Sequence, residues 1–184
     1  MQSNVTCPWV MKSVGEEGVF RGYASIFNVL DEQGDKVLPG AFKATLRQWQ
    51  SQAGCPKMLW QHDQREPIGW WKTLKEDQNG LYVEGQLLLK LAKAQEVYEM
   101  LKNRMIDGLS IGCRIVEAEQ GNSPGERLLK TLDLFEVSLV TFAANTKARI
   151  TTVKSQDIVP PSEKTLLQSI HKAQQILRFR ASSL

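Results

Sequence analysis

The chain has 184 residues and a net charge of +3, with 42% hydrophobic and 23% charged residues, which suits one globular domain with a single core and a tail. No apolar run reaches the roughly 18 residues of a membrane span, and Met1–Val10 lacks the basic and apolar regions of a secretory signal. Three cysteines, Cys7, Cys55 and Cys113, are odd in number and have no metal-ligand spacing, which points to free thiols in a reducing, intracellular compartment.

In chain order, Trp9–Val14 and Gly18–Phe27 read as a hairpin joined through Gly15-Glu16-Glu17. An irregular loop, Asn28–Pro39, carries Asp31, Glu32 and Asp35. Its acidic spacing is not that of an EF-hand. A short helix is predicted from Gly40 to Gln50 and a short strand over Lys57–Gln61, with His62 at its end. Pro67–Glu76 and Leu81–Leu89 form two strands around Gln78-Asn79-Gly80, where Asn-Gly signals a type I′ turn. Leu91, Ala94, Val97, Tyr98, Leu101 and Met105 recur at helical spacing. Leu109–Glu117 and Arg127–Phe142 are strands again, and Ala148–Val153 closes the sheet. Pro160-Pro161-Ser162 breaks the chain before a final helix striped by Leu166, Ile170, Ala173 and Leu177.

About seven strands with two or three helices predict an α+β domain built on a mostly antiparallel sheet or barrel. The division falls into a barrel domain over 1–157 and a helical tail over 158–184. From Thr141 onward seven basic residues face two acidic ones, so a basic tail follows a slightly acidic body. Such a tail docks on an acidic partner or on nucleic acid, or is simply a solvated helix face.

One constellation carries chemistry. Ser110 lies between Gly108 and Gly112 in a strand where Leu109, Ile111, Cys113 and Ile115 share the apolar face. Ser110 then points to the other face, with glycines leaving room for a substrate backbone. Cys113, on the apolar face, reads as inert packing, with a Cys113–His62 site as the lesser alternative. His62 is one of two histidines; the other, His171, lies in the basic tail. An imidazole is the default general base near neutral pH. Glu136 sits inside the apolar run Leu132–Val140, where a carboxylate needs a partner. Either it orients His62 or it pairs with Arg114 or Arg127. Attacker, base and orienting anion are the three roles of a serine nucleophile, here in the order His, Ser, Glu. No dinucleotide, Walker, zincin or paired-cysteine zinc motif occurs, so neither cofactor nor metal is expected. The five tryptophans are not interleaved with arginines and read as core packing rather than a nucleic-acid surface.

The chain resembles the prohead (capsid maturation) proteases of tailed bacteriophages. The matching segments are Gly22–Val29, Asp35–Phe42, Met58–Asp63 with Pro67–Gly69, Asp107–Gly112 and Leu134–Asn145. It departs from many relatives at Ala143, where proline is common. The resemblance implies a serine endopeptidase with a herpesvirus-protease-like fold, a β-barrel ringed by helices. His62 would be the base, Ser110 the nucleophile and Glu136 the third member, with backbone N–H groups of Ala143, Ala144 and Asn145 forming the oxyanion hole. The implied substrates are the scaffold segment of the major capsid protein, or a separate scaffold, and the protease itself. Portal and other prohead proteins would be neighbours, and the chain would form a homo-oligomer. The implied location is the procapsid assembling in the bacterial cytoplasm, with no membrane and no specific nucleic acid. The competing class is a non-enzymatic capsid-assembly or scaffold protein on the same fold; a small-ligand-binding barrel is more distant.

Overall fold

A computed structural model describes residues 4–6 and 17–154. The predicted strand Trp9–Val14, the tail boundary at 158 and the final helix lie outside these residues. Among them run nine strands and two helices: β1 (Asn4–Thr6), β2 (Val19–Ile26), β3 (Asp35–Val37), α1 (Lys43–Ser51), β4 (Lys57–Trp60), β5 (Asp63–Glu76), β6 (Gly80–Leu87), α2 (Ala92–Lys102), β7 (Gly108–Gln120), β8 (Arg127–Val140) and β9 (Ile150–Val153).

All nine strands belong to one curled sheet in the order β3-β8-β4-β5-β6-β2-β9, with β1 paired to β5 and β7 paired to β8. The curl brings β2 against β7. Inside it sits one core that includes Phe20, Phe42, Trp71, Leu109, Leu132 and Leu134, with the Phe20 and Trp71 rings edge to face at 5.6 Å. Trp49 and Trp60 pack against the same core, as the core-packing reading of the tryptophans expects.

The central element is β8. Along one edge it pairs antiparallel with β7 from Gly108↔Val140 to Gln120↔Arg127. Along the other it pairs parallel with β3 at Arg127–Leu129 and with β4 at Glu136–Leu139. These parallel pairings make the sheet mixed, which the expectation of a mostly antiparallel barrel does not anticipate. β3 and β4 follow one another along the same edge of β8, with α1 between them, and the chain reaches β8 only after β5, β6, α2 and β7, the long connection that parallel neighbours require.

Between β3 and β4 the edge of β8 would be bare. Helix α1 and the turn before it cover the gap. Leu132 N–H donates to Ala41 C=O at 2.9 Å, Leu134 N–H to Thr45 Oγ at 3.0 Å, and Trp49 Nε1–H to Leu134 C=O at 2.8 Å. The start of α1 is held in turn by the buried Glu76 carboxylate, which accepts the N–H groups of Gly40 and Phe42 at 2.7 and 3.0 Å. The Phe42 N–H, at the N-cap, is an orphan donor of the helix start and needs such an acceptor.

One turn differs from expectation. Asn79 and Gly80 join β5 to β6, but neither has positive φ. The Asp77 carboxylate organises the turn instead, accepting the N–H of Asn79 at 2.8 Å and of Gly80 at 3.2 Å. Gly80 is required for a different reason: a methyl there would collide with the Ser25 carbonyl. The left-handed pair falls at Gln61 and His62, with φ of 52° and 60°. Cys55 is disulfide-bonded, which corrects the expectation of a free thiol there, since bridging follows spatial approach rather than sequence spacing. Cys113 is free.

Replacing Thr45 by Val removes the acceptor for the buried Leu134 N–H. The expected cost is about 1–3 kcal/mol of stability, read as a lower urea midpoint at unchanged slope.

Candidate active site

His62 occupies the second position of the two-residue connection between β4 and β5. Left-handed backbone at two non-glycine residues costs on the order of 1–3 kcal/mol each and needs surrounding contacts to persist. They come from the end of β8. Gln61 N–H donates to Leu139 C=O at 3.0 Å. The Gln61 side chain grips Thr141, donating to its Oγ at 2.7 Å and accepting its N–H at 3.3 Å. His62 N–H donates to Ser138 Oγ at 3.1 Å.

The ring of His62 then meets Glu136. His62 Nδ1 lies 2.5 Å from Glu136 Oε1, while Ser138 Oγ–H donates to Glu136 Oε2 at 2.7 Å. Glu136 is only 12% exposed in its side chain, and both its oxygens are satisfied. The alternative pairings are taken elsewhere: Arg114 binds Asp133 and Arg127 binds Asp35.

Register places the third residue. Ser110 lies directly opposite Ser138 and Gly112 directly opposite Glu136. Residues two apart share a face, so Ser110, Gly112, Ser138 and Glu136 form one block. A bulge follows at once, because Cys113 pairs with Leu134 and Phe135 is skipped, leaving Phe135 half exposed. A methyl at Gly112 would collide with the Glu136 carboxylate. The glycine therefore makes room for the chain's own anion, where the sequence suggested room for a substrate.

Ser110 and His62 line one cleft of about 330 Å³, together with Ala24, Ser25, Gly112, Cys113, Ala144 and Asn145. Ser110 makes no hydrogen bond to His62. Of the residues expected at the oxyanion hole, Ala144 and Asn145 line the cleft, whereas Ala143 is buried with Val140 and Ala148. The segment is pinned: Ala144 C=O accepts Glu32 N–H at 3.1 Å, and Asn145 Nδ2 donates to Ile26 C=O at 2.9 Å.

The electrostatics separate the two potential nucleophiles. The hydrogen bond to Glu136 raises the His62 pKa above 6.5, against the opposing effect of partial burial. A carboxylate on Nδ1 favours the proton there and leaves Nε2 free to accept one. Burial, reinforced by the surrounding carboxylates of Asp35 and Glu136, pushes the Cys113 thiol up to about 11. Cys113 is therefore a neutral thiol at physiological pH.

Sequence reasoning missed Ser138, Gln61 and the Asp35–Arg127 pair. Arg127 grips Asp35 through two bonds of 2.6 and 2.7 Å, and both residues line the cleft with Asp31. Asp31 Oδ1 accepts the N–H groups of Gln33 and Asp35, each at 2.8 Å. These acidic residues staple the loop rather than ring a cation. Among the described residues, no group of three or more His, Cys, Asp or Glu is placed to hold a metal ion, and no helix is long and apolar enough to cross a membrane.

The chain is similar to proteins already known. A family model described as caudovirus prohead serine protease matches residues 9–160. The prohead protease of Enterobacteria phage HK97 is 38% identical over 145 residues, covering 78% of this chain and 63% of that protein. The chain thus spans somewhat under two thirds of that relative. Among solved structures, the bacteriophage T4 capsid assembly protease gp21 superposes with a TM-score of 0.55 at 10% identity, over 77% of this chain and 96% of that one. The KSHV protease in complex with a hexapeptide phosphonate inhibitor gives 0.51 at 9% identity, over 85% and 76%. At such identities the likeness concerns the fold alone: it is herpesvirus-protease-like, and the described residues hold a curled mixed sheet with two helices rather than the expected ring of them. With the family model covering most of its length, the chain belongs to the caudovirus prohead serine protease family.

Proposed function

We propose that this chain is a serine endopeptidase that cleaves capsid-assembly proteins, and itself, inside the procapsid. The observation that carries the reading is the 2.5 Å contact of His62 Nδ1 with Glu136 Oε1 beside Ser110 in one cleft. Ser110 attacks the peptide carbonyl, His62 Nε2 takes its proton, and Glu136 stabilises the imidazolium. The N–H groups of Ala144 and Asn145 face the oxyanion. Both residues line the cleft, and neither N–H is taken by a protein acceptor among the described residues. An acyl-enzyme on Ser110 forms with departure of the amine and is released by water. The neutral Cys113 thiol supports serine over cysteine as the attacking group.

The cleft suits an extended peptide. Beyond Leu109, β7 pairs with β8 alone among the described residues, so its other edge offers unpaired N–H and C=O groups beside Ser110. A substrate strand added there would present alternate side chains to Ile111 and Ile115. The partner is read from the family: a prohead protease meets the capsid protein or its scaffold. The basic segment 158–184 is read as a separate appendage that docks the enzyme in the shell.

Co-expression with the neighbouring capsid protein, followed by intact mass spectrometry, should show discrete cuts that vanish in Ser110→Ala. Cuts that persist in that variant would remove Ser110 from the mechanism. The pH dependence has a definite sign. His62 must be neutral to accept a proton, so kcat/KM falls as pH drops through a midpoint above 6.5. Glu136→Gln should return that midpoint toward 6.5 and lower turnover about 10²–10⁴-fold. Gly112→Ala should displace the carboxylate and mimic that loss while the circular dichroism spectrum stays that of the parent; an active Gly112→Ala enzyme would contradict the assigned contact.

A further inference from the structure

Ser138 is fully buried on β8 and faces Ser110 across the ladder. The two serines are treated differently by their surroundings. Ser110 is left facing the cleft, whereas the Ser138 hydroxyl is used in both directions. It accepts the His62 backbone N–H at 3.1 Å and donates to Glu136 Oε2 at 2.7 Å. Glu136 Oε1 returns to the His62 ring at 2.5 Å. The result is a closed ring of hydrogen bonds through three residues, in which one oxygen ties the backbone of the histidine to the carboxylate that binds its side chain.

We propose that Ser138 is a positioning residue of the catalytic site, holding His62 and Glu136 in mutual register by bridging the left-handed turn to the carboxylate. The inference rests on the serine protease reading above. Its chemical logic is that the bridge needs an acceptor and a donor on one atom at short reach. A serine hydroxyl supplies both; alanine supplies neither, and an amide divides them between two atoms. Ser138 is fully buried, and its loss takes from the His62 N–H and from Glu136 Oε2 the protein partner that each has there. The contacts from Gln61 to Leu139 and Thr141 hold the first residue of the turn; Ser138 holds the second, which carries the ring. Ser138 touches no substrate and acts only through its two partners.

The test uses the full chain and a fluorophosphonate probe, with kinact and KI measured separately. Ser138→Ala should lower kinact about 10–100-fold and leave KI within about twofold, because binding is untouched while the base is mispositioned. In a Glu136→Gln background the same change should cost less than about threefold, since residues acting as one unit are not additive. Thermal unfolding confirms that the variants are folded. Should the alanine variant not fold, Ser138→Cys, close in size but a weak donor and acceptor, should fall between parent and alanine-like loss. A kinact within twofold of the parent in a folded variant, or equal losses in both backgrounds, overturns the inference and leaves the protease reading intact. No labelling of Ser110 in the parent overturns the protease reading, and this inference with it.

Discussion

The hydrogen bond between His62 Nδ1 and Glu136 Oε1 is the contact on which the site depends, and it exists only in one register of β8. Side chains alternate along a strand, so a slip of one residue would turn Glu136 to the opposite face. Three neighbours prevent the slip. β4 runs parallel in step from Lys57↔Glu136 to Trp60↔Leu139 and delivers the chain into the turn that carries His62. β7 runs antiparallel and sets Gly112 against Glu136. Helix α1 closes the remaining gap at Leu134 through Thr45 and Trp49. The mixed sheet, which looks irregular as architecture, is what lets His62 and Glu136 arrive from strands side by side.

Environment then sorts the groups chemically. Glu136 is a carboxylate nearly removed from water, tolerated because each oxygen has its own partner. Its hydrogen bond favours the charged imidazole, the species a general base becomes after it takes a proton. Three residues along β7 from Ser110, the Cys113 thiol meets burial and surrounding carboxylates and is driven the opposite way, toward its neutral form. One strand thus carries a hydroxyl that shares a cleft with His62 and a thiol held neutral. The bulge between Gly112 and Cys113 ends the face that Ser110 and Gly112 share and begins a new alternation.

Much of this was legible because chemistry-bearing residues are scarce in the chain. Only two histidines occur, and only one stands at the end of a strand within the body. Glu136 announces itself as a carboxylate in an apolar run. What eluded the sequence depends on pairing between distant segments. Arg127 offered itself to Glu136 but belongs to Asp35, 92 positions away. Parallel pairing of β3 and β4 with β8 leaves no local trace. The Asn79-Gly80 dipeptide promised left-handed backbone that occurs instead at Gln61 and His62, where tertiary contacts impose what neither residue prefers. Ser138 could have been found: it lies two residues beyond Glu136 and so shares its face. It was hidden because a small serine in an apolar strand reads as packing.

The central claim is that Ser110 is the activated nucleophile. Peptide mass spectrometry of the full chain after reaction with a fluorophosphonate locates the attacking atom directly. The account predicts one adduct, on the peptide containing Ser110, formed far more slowly when His62 is replaced by Ala. An adduct on Cys113, or labelling at Ser110 that proceeds undiminished without His62, would contradict it.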